Sequence, residues 1–163
     1  MITPERLREL VSYDPETGIF TNLVARPNMK VGQEAGWMVG KGYRSLCLDG
    51  TSYRANRLAW FWLTGEWPTV LVDHIDRDRA NNRASNLRLA TPAENARNCK
   101  LSKRNASGHK GVYWYKQLEK WTAQIRVNRK LLSLGYFAQK ADAIAARLEA
   151  ERVHFGEFAG AAN

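Results

Sequence analysis

The stretch Val72-Asp73-His74-Ile75-Asp76, followed by Asn81-Asn82, Asn86-Leu87-Arg88-Leu89 and Thr91-Pro92-Ala93-Glu94-Asn95, leaves the chain few ways to fold. The apolar run Val70-Leu71-Val72 reads as a strand ending on Asp73 and His74, and a polar Asn/Arg loop returns through a second strand at Leu87 to Ala90. A helix then starts abruptly. Thr91 suits the N-cap, Pro92 the first helical position, and Glu94, three residues past the cap, completes a capping box. Asn95 then lies in the first turn or so, facing back toward the strand of Asp73 and His74. A carboxylate, an imidazole and a carboxamide are thereby expected to converge.

That trio suits phosphodiester hydrolysis. Asp73 and Asn95 offer the oxygen ligands a hard divalent cation prefers, in a site with room for waters and a substrate phosphate. His74 beside them is placed to take a proton from water. On the Asp-His pair, Asn81-Asn82, Asn86-Leu87-Arg88 and the helical Asn95, the segment from Asp73 to Asn98 resembles the HNH nuclease family. The branch it resembles is the phage and intron homing-endonuclease one, in which Asp replaces the first His. The resemblance implies a ββα-metal unit with its core at 70–98. His74 would be the general base, and Asp73 and Asn95 would hold one Mg²⁺ or Mn²⁺ ion that bridges the scissile phosphate. Asn86 and Asn82 would brace the loop through side-chain to backbone hydrogen bonds. Arg77, Arg79, Arg83, Arg88 and Arg97 would be available to phosphates. One position departs from the family pattern, which reads His-Arg-Leu where this chain has Asn56-Arg57-Leu58.

The simpler readings of these residues are weaker. Asp-His alone is an ordinary turn; the spaced set is what reverses that. Asp76-Arg77-Asp78 starts like a calcium loop, but Asn81 stands where such a loop needs Gly and Leu87 where it needs Glu. His109 and His154 are isolated. Cys47 and Cys99 form no paired motif, so neither a disulfide framework nor a four-Cys zinc site is available, and a reduced compartment is expected; the resemblance to phage nucleases implies that this is the cytoplasm of a bacterial host. The N-terminus lacks a signal pattern, and the longest apolar run, Leu58 to Leu63, is too short to span a bilayer.

Net charge is +9, which favours a polyanionic partner, and 11 of the basic residues against 5 acids lie in residues 101–163. Before the nuclease-like unit, Thr3 and Pro4 open a short helix with Leu7, Leu10 and Val11 on one stripe. Tyr13 to Gly18 is turn chemistry, and Gly18 to Thr21 a strand. The section from Arg26 to Gly42 gives no clear pattern. Gly42 to Leu48, an Asp49-Gly50 turn and Thr51 to Ala55 form a hairpin. Arg57 to Leu63 is an apolar helix stopped by Gly65 and Pro68, its aromatics Trp60, Phe61 and Trp62 read as core.

After Asn98, residues 101–108 read as a basic linker. Gly111 to Tyr115, Lys120 to Val127 and Lys130 to Leu134 then form three antiparallel strands. The middle strand places Trp121, Ala123, Ile125 and Val127 on one face and Lys120, Thr122, Gln124 and Arg126 on the other. An Ala-rich helix from Gln139 to about Phe155 is expected to bury Ala141, Ile144, Ala145 and Leu148 on the first of those faces. Through Lys110-Gly111-Val112-Tyr113, Lys120 to Arg126, Leu134-Gly135-Tyr136-Phe137 and that helix, this segment resembles the APETALA-type (ethylene-response-factor) DNA-binding domain. In that family the free sheet face enters the major groove, which by position implicates Lys110, Tyr113, Lys120, Gln124 and Arg126. Two usual contact positions differ, with Tyr113 in place of an Arg and Ser133 in place of a Trp.

The expected fold is therefore α+β: an HNH unit at 1–100 with N-terminal hairpin and helix elements, a linker at 101–108, and a three-stranded antiparallel sheet on one helix at 109–163. The expected activity is metal-dependent, site-recognising cleavage of double-stranded DNA by a monomer or weak dimer. The alternative is a non-catalytic, sequence-specific DNA-binding protein on a decayed HNH scaffold, which Asn56 keeps open. RNA binding through Tyr113-Trp114-Tyr115 is a weaker third reading, because Lys, Gln and Arg on the free face suit a groove.

Overall fold

The computed structural model describes residues 2–98, 101 and 105–159. The chain is mixed α+β, as expected, and divides into two compact units, Met1–Pro92 and Ala93–Asn163. That division falls before the boundary read from the sequence at residue 100. Cys99 and residues 102–104 of the basic linker lie outside the described residues.

In the first unit, α1 (Pro4–Leu10) is capped by the Thr3 hydroxyl, which accepts from the Arg6 N–H at 3.2 Å. Val11, read from the sequence as part of the helical stripe, instead opens β1 (Val11–Asp14), which pairs with β2 (Ile19–Asn22) in a hairpin. The section without sequence pattern contains β3 (Trp37–Val39), the edge partner of β4 (Tyr43–Leu48). Between β4 and β5 (Thr51–Arg54), Asp49 and Gly50 both take positive φ, 46° and 76°, the geometry that a two-residue hairpin turn demands. Ala55 belongs not to the strand but to α2 (Ala55–Thr64), which ends on Gly65 in the left-handed region. Phe61 is buried, and Trp60 and Trp62 are half-buried against the same core of Leu7, Phe20, Leu46 and Leu58.

The hairpin of β6 (Leu71–His74) and β7 (Leu87–Ala90) is fastened to that core by Val72 and Leu87. The chain entering it is held from α2. Arg57 donates to the carbonyls of Pro68 and Val70 at 2.8 and 3.2 Å, and the Asn56 amide donates to the Val72 carbonyl at 2.9 Å.

The loop between β6 and β7 is built around Asp76. Its carboxylate accepts from the Asp78 N–H at 2.8 Å and from the amides of Asn81 and Asn86 at 2.6 and 2.9 Å. Asn86 in turn accepts from the Asp76 N–H at 3.0 Å and donates to the Asn81 carbonyl at 2.7 Å. The turn of the first hairpin presses on this loop: the Tyr13 hydroxyl donates to the Asn82 carbonyl at 2.7 Å, and the Ala84 N–H to the Pro15 carbonyl at 2.9 Å. Gly18, at φ 74°, lets the two backbones meet, because a Cβ there would lie 2.4 Å from the Arg83 nitrogen.

In the second unit, α3 (Pro92–Arg97) is followed by β8 (Val112–Tyr115), β9 (Lys120–Val127) and β10 (Lys130–Phe137), an antiparallel sheet with β9 central, and by α4 (Lys140–Phe155). Val112, Ala123 and Ala143 form the core, with Trp121, Leu134, Phe137 and Ile144 around it. Two details differ from the sequence reading. The inward residues of α4 are Ala143, Arg147, Ala150 and Phe155, while Ala141, Ala145 and Leu148 are exposed. An arginine can face inward here because its guanidinium donates to the Gln124 carbonyl at 2.8 Å and pairs with Glu151 at 2.7 Å. Thr122, read as free, is buried: a bulge between Ser133 and Gly135 brings the Gly135 carbonyl to its hydroxyl at 3.1 Å.

Two expected outcomes follow from the contacts of the first unit. Gly18→Ala should lose about 2–3 kcal/mol of stability in urea unfolding, from left-handed strain plus backbone overlap with the loop; an unchanged midpoint would mean the turn and loop do not touch. For Asp76, partial burial pushes the pKa up, but the Asp78 N–H, the Asn81 and Asn86 amides and the nearby imidazole of His74 together hold it below the ordinary 3.8. The stabilisation from the charged form is therefore complete above about pH 4 and lost as pH falls through the lower folded value. The stability gap between the parent chain and Asp76→Asn should close in acid, and a gap that widens there would be the opposite result.

Candidate nuclease site

Asp73 and His74 are the last two residues of β6, and both are buried, 7 % and 4 % exposed. Burying a carboxylate requires a partner, and the strand pairing supplies one. Asp73 lies opposite Arg88 on β7, whose Nε and Nη2 both stand 3.2 Å from Oδ2. Arg88, expected among the phosphate-facing arginines, thus has its charge engaged with Asp73.

His74 is oriented by the loop. The Asn82 amide donates from Nδ2 to the Ala80 carbonyl at 3.0 Å, which turns its Oδ1 toward His74 Nε2 at 3.2 Å. An amide oxygen can only accept, so Nε2 carries the proton and the basic lone pair of the neutral ring is on Nδ1. Asn82 itself is fixed by Tyr13 through its carbonyl. The His74 carbonyl receives the Arg77 N–H at 3.0 Å, with Arg77 in the left-handed region at φ 68°. Asn86 supports the loop through Asp76 and Asn81.

Beside the imidazole stands Tyr43, its ring centroid 6.0 Å from that of His74. Arg54 lies over the Tyr43 ring at 4.1 Å and Arg79 at 4.9 Å, and Arg79 also donates to the Lys41 carbonyl at 3.0 Å. Arg79 and Arg83 are exposed, Arg77 half-buried. Tyr13, Tyr43 and Arg54 carried no site signal in the sequence, since their roles come from strands far along the chain; only the turn chemistry after Tyr13 marked that neighbourhood at all.

Asn95 lies half-buried on α3, in the second unit. Among the described residues no group of three or more His, Cys, Asp or Glu side chains gathers to hold a metal. The carboxylate of Asp73 and the carboxamide of Asn95 are each oxygen donors, the chemistry that suits a hard cation.

On the sheet of the second unit, Tyr113 is 42 % exposed and its hydroxyl donates to Gln124 Oε1 at 3.3 Å. Lys120 shares that face and is exposed. Lys110 and Arg126, expected there as well, line a cavity together with Arg97.

No helix of the described residues is long and apolar enough to cross a membrane. No solved structure matches the chain. Over 59 residues the chain is 44 % identical to Protein 3.8 of Escherichia phage T7, covering 36 % of this chain and 49 % of that protein. Over 78 residues it is 37 % identical to an uncharacterized HNH endonuclease of Acanthamoeba polyphaga mimivirus, covering 47 % of this chain and 40 % of that one. The chain therefore spans about half the length, or less, of these relatives. The sequence model of the HNH endonuclease family matches residues 53–97, the segment that holds Asp73, His74, Asn82, Asn86, Arg88 and Asn95.

Proposed function

We propose that the protein is a divalent-metal-dependent DNA endonuclease of the HNH type, homing-endonuclease-like, acting on double-stranded DNA in a bacterial cytoplasm as a monomer or weak dimer. The observation that carries this reading is the buried Asp73-His74 pair at the end of β6, with the imidazole aimed by Asn82, inside the segment that matches the HNH family.

In this reading His74 takes a proton from the attacking water at Nδ1 while Asn82 holds Nε2–H and keeps the ring from turning. A positioned base of this kind contributes about 10²–10⁴-fold. Arg88 fixes the carboxylate of Asp73 through its ion pair. Asp73 and Asn95 would hold the cation, which when bound supplies Lewis-acid stabilisation of charge at the leaving 3′ oxygen. Arg77, Arg79 and Arg83 meet phosphates. The second unit is read as an APETALA-type DNA-binding domain that uses Tyr113, Lys120 and Gln124 to select the site.

One other reading, a non-catalytic DNA-binding protein on the same scaffold, rests on Asn56 standing where the family pattern has His. Supercoiled plasmid incubated with Mg²⁺ or Mn²⁺ decides between them. Nicked or linear product that chelator abolishes is expected, and its absence with every cation would leave the binding protein. His74→Ala should abolish cleavage while DNA affinity stays within about two-fold; a variant that still cuts removes His74 as the base. Lys120→Ala with Gln124→Ala should broaden the sequences selected from a random duplex pool, and an unaltered selection would take the sheet out of recognition.

A further inference from the structure

A cavity of about 530 Å³ opens within the second unit, between α3, the β9–β10 turn and the last turns of α4. Ala93, Ala96 and Phe155 form its apolar part. Its charged lining is Arg97, Lys110, Arg126, Arg129, Arg147 and Glu151, five cations against one carboxylate. Glu151 is matched to Arg147 at 2.7 Å, so the lining carries the other four positive charges in excess.

The deeper members are held in place. Arg147 is 7 % exposed and strung between the Gln124 carbonyl and Glu151. Arg97 lies over the Phe155 ring at 4.2 Å, and Lys110 Nζ donates to the Arg97 carbonyl at 2.8 Å. Arg126 and Arg129 are exposed, and neither side chain makes a hydrogen bond or ion pair among the described residues. Arg129 is also strained. It occupies the second position of the β9–β10 turn at φ 67°, after Asn128 at φ 47°, where glycine is the favoured residue. A cation kept where glycine would relax the turn, at the mouth of a positively charged cavity, points to an anion.

We propose that this cavity seats backbone phosphates of the duplex that the second unit binds, with Arg126 and Arg129 as the cations that meet them. The proposal rests on the reading of the second unit as a DNA-binding domain and adds to it a contact that carries affinity without base choice. The sheet face around Gln124 reads sequence; the cavity fixes the protein on the backbone.

Arg129→Gly gives the test its leverage, because it relieves the strained turn while removing the cation. In the full chain its melting midpoint should equal or exceed that of the parent, so any loss of binding is not a loss of fold. Affinity for a fluorescein-labelled, random-sequence 30-base-pair duplex, measured by anisotropy from about 50 to 200 mM salt, should weaken. The slope of log Kd against log salt should become shallower by about 1 for Arg129→Gly and about 2 for Arg126→Ala with Arg129→Gly. Sequences selected from a random pool should not change. An unaltered slope in the double variant overturns the cavity proposal, and so does a shifted selection, which would make these arginines base readers. So does a cavity that takes a free nucleotide instead, seen as Ala96 amide shifts with deoxyadenosine monophosphate that the duplex does not displace. If the parent chain binds no duplex at all, the DNA-binding reading fails with it.

Discussion

The first unit depends on keeping an aspartate and a histidine out of water at the end of a four-residue strand. Neither group tolerates burial alone: an unpaired buried carboxylate costs several kcal/mol, and a buried imidazole needs an acceptor for its N–H. The ion pair with Arg88 and the hydrogen bond that His74 Nε2 gives to Asn82 answer those costs, and each partner then needs support of its own. Arg88 is placed by the antiparallel register that sets it opposite Asp73. Asn82 is placed by the Asp76-centred loop from one side and by Tyr13 from the other. The N-terminal hairpin, which carries no candidate site residue, is in this sense part of the site: its turn is the wall against which the loop is pressed.

Much of this was legible because the informative residues are close together in sequence. The strand at 71–74, the returning strand at 87–90 and the helix that begins at Pro92 are all marked by local signals, namely an apolar run, an Asn-rich loop, and a cap followed by proline. What was not legible is long-range. Tyr13 reaches a carbonyl 69 residues away, and nothing in the local pattern of Tyr13-Asp14-Pro15 announces it. The misread face of α4 has a different cause. Reading a stripe from alanines and leucines assumes that charged residues face solvent, but each guanidinium nitrogen of Arg147 is engaged, by the Gln124 carbonyl in β9 or by Glu151, and so the side chain turns inward. Thr122 was misjudged through the bulge in β10, an irregularity that period-two alternation cannot contain.

Asn56 looks less like a lost catalytic group once its contacts are considered. It sits in the first turn of α2, 5 % exposed, and its amide holds the carbonyl of Val72, the residue immediately before Asp73. That contact needs a donor at this height above the strand, and an amide provides it without titrating. The cost is its Oδ1, which is buried without a partner among the described residues, a penalty of about 1–3 kcal/mol. An amide that braces β6 in this way serves the placement of Asp73 and His74, so Asn56 has a structural use on a cutting scaffold as much as on a silent one.

The packing of α3 bears on how cutting and reading are divided. From the sequence, the helix of Asn95 closes the nuclease unit and a linker separates it from the reader. In the folded chain that helix belongs with the second unit: Arg97 stacks on Phe155 of α4, and its carbonyl receives the Lys110 ammonium. The helix that carries a proposed metal ligand and the sheet proposed to read DNA are therefore set by one body of contacts. If Asn95 is a ligand, whatever orders the second unit on DNA also fixes the helix from which that ligand comes. On the proposed reading, the sheet that selects the site and the helix that offers Asn95 are held by the same contacts of the second unit.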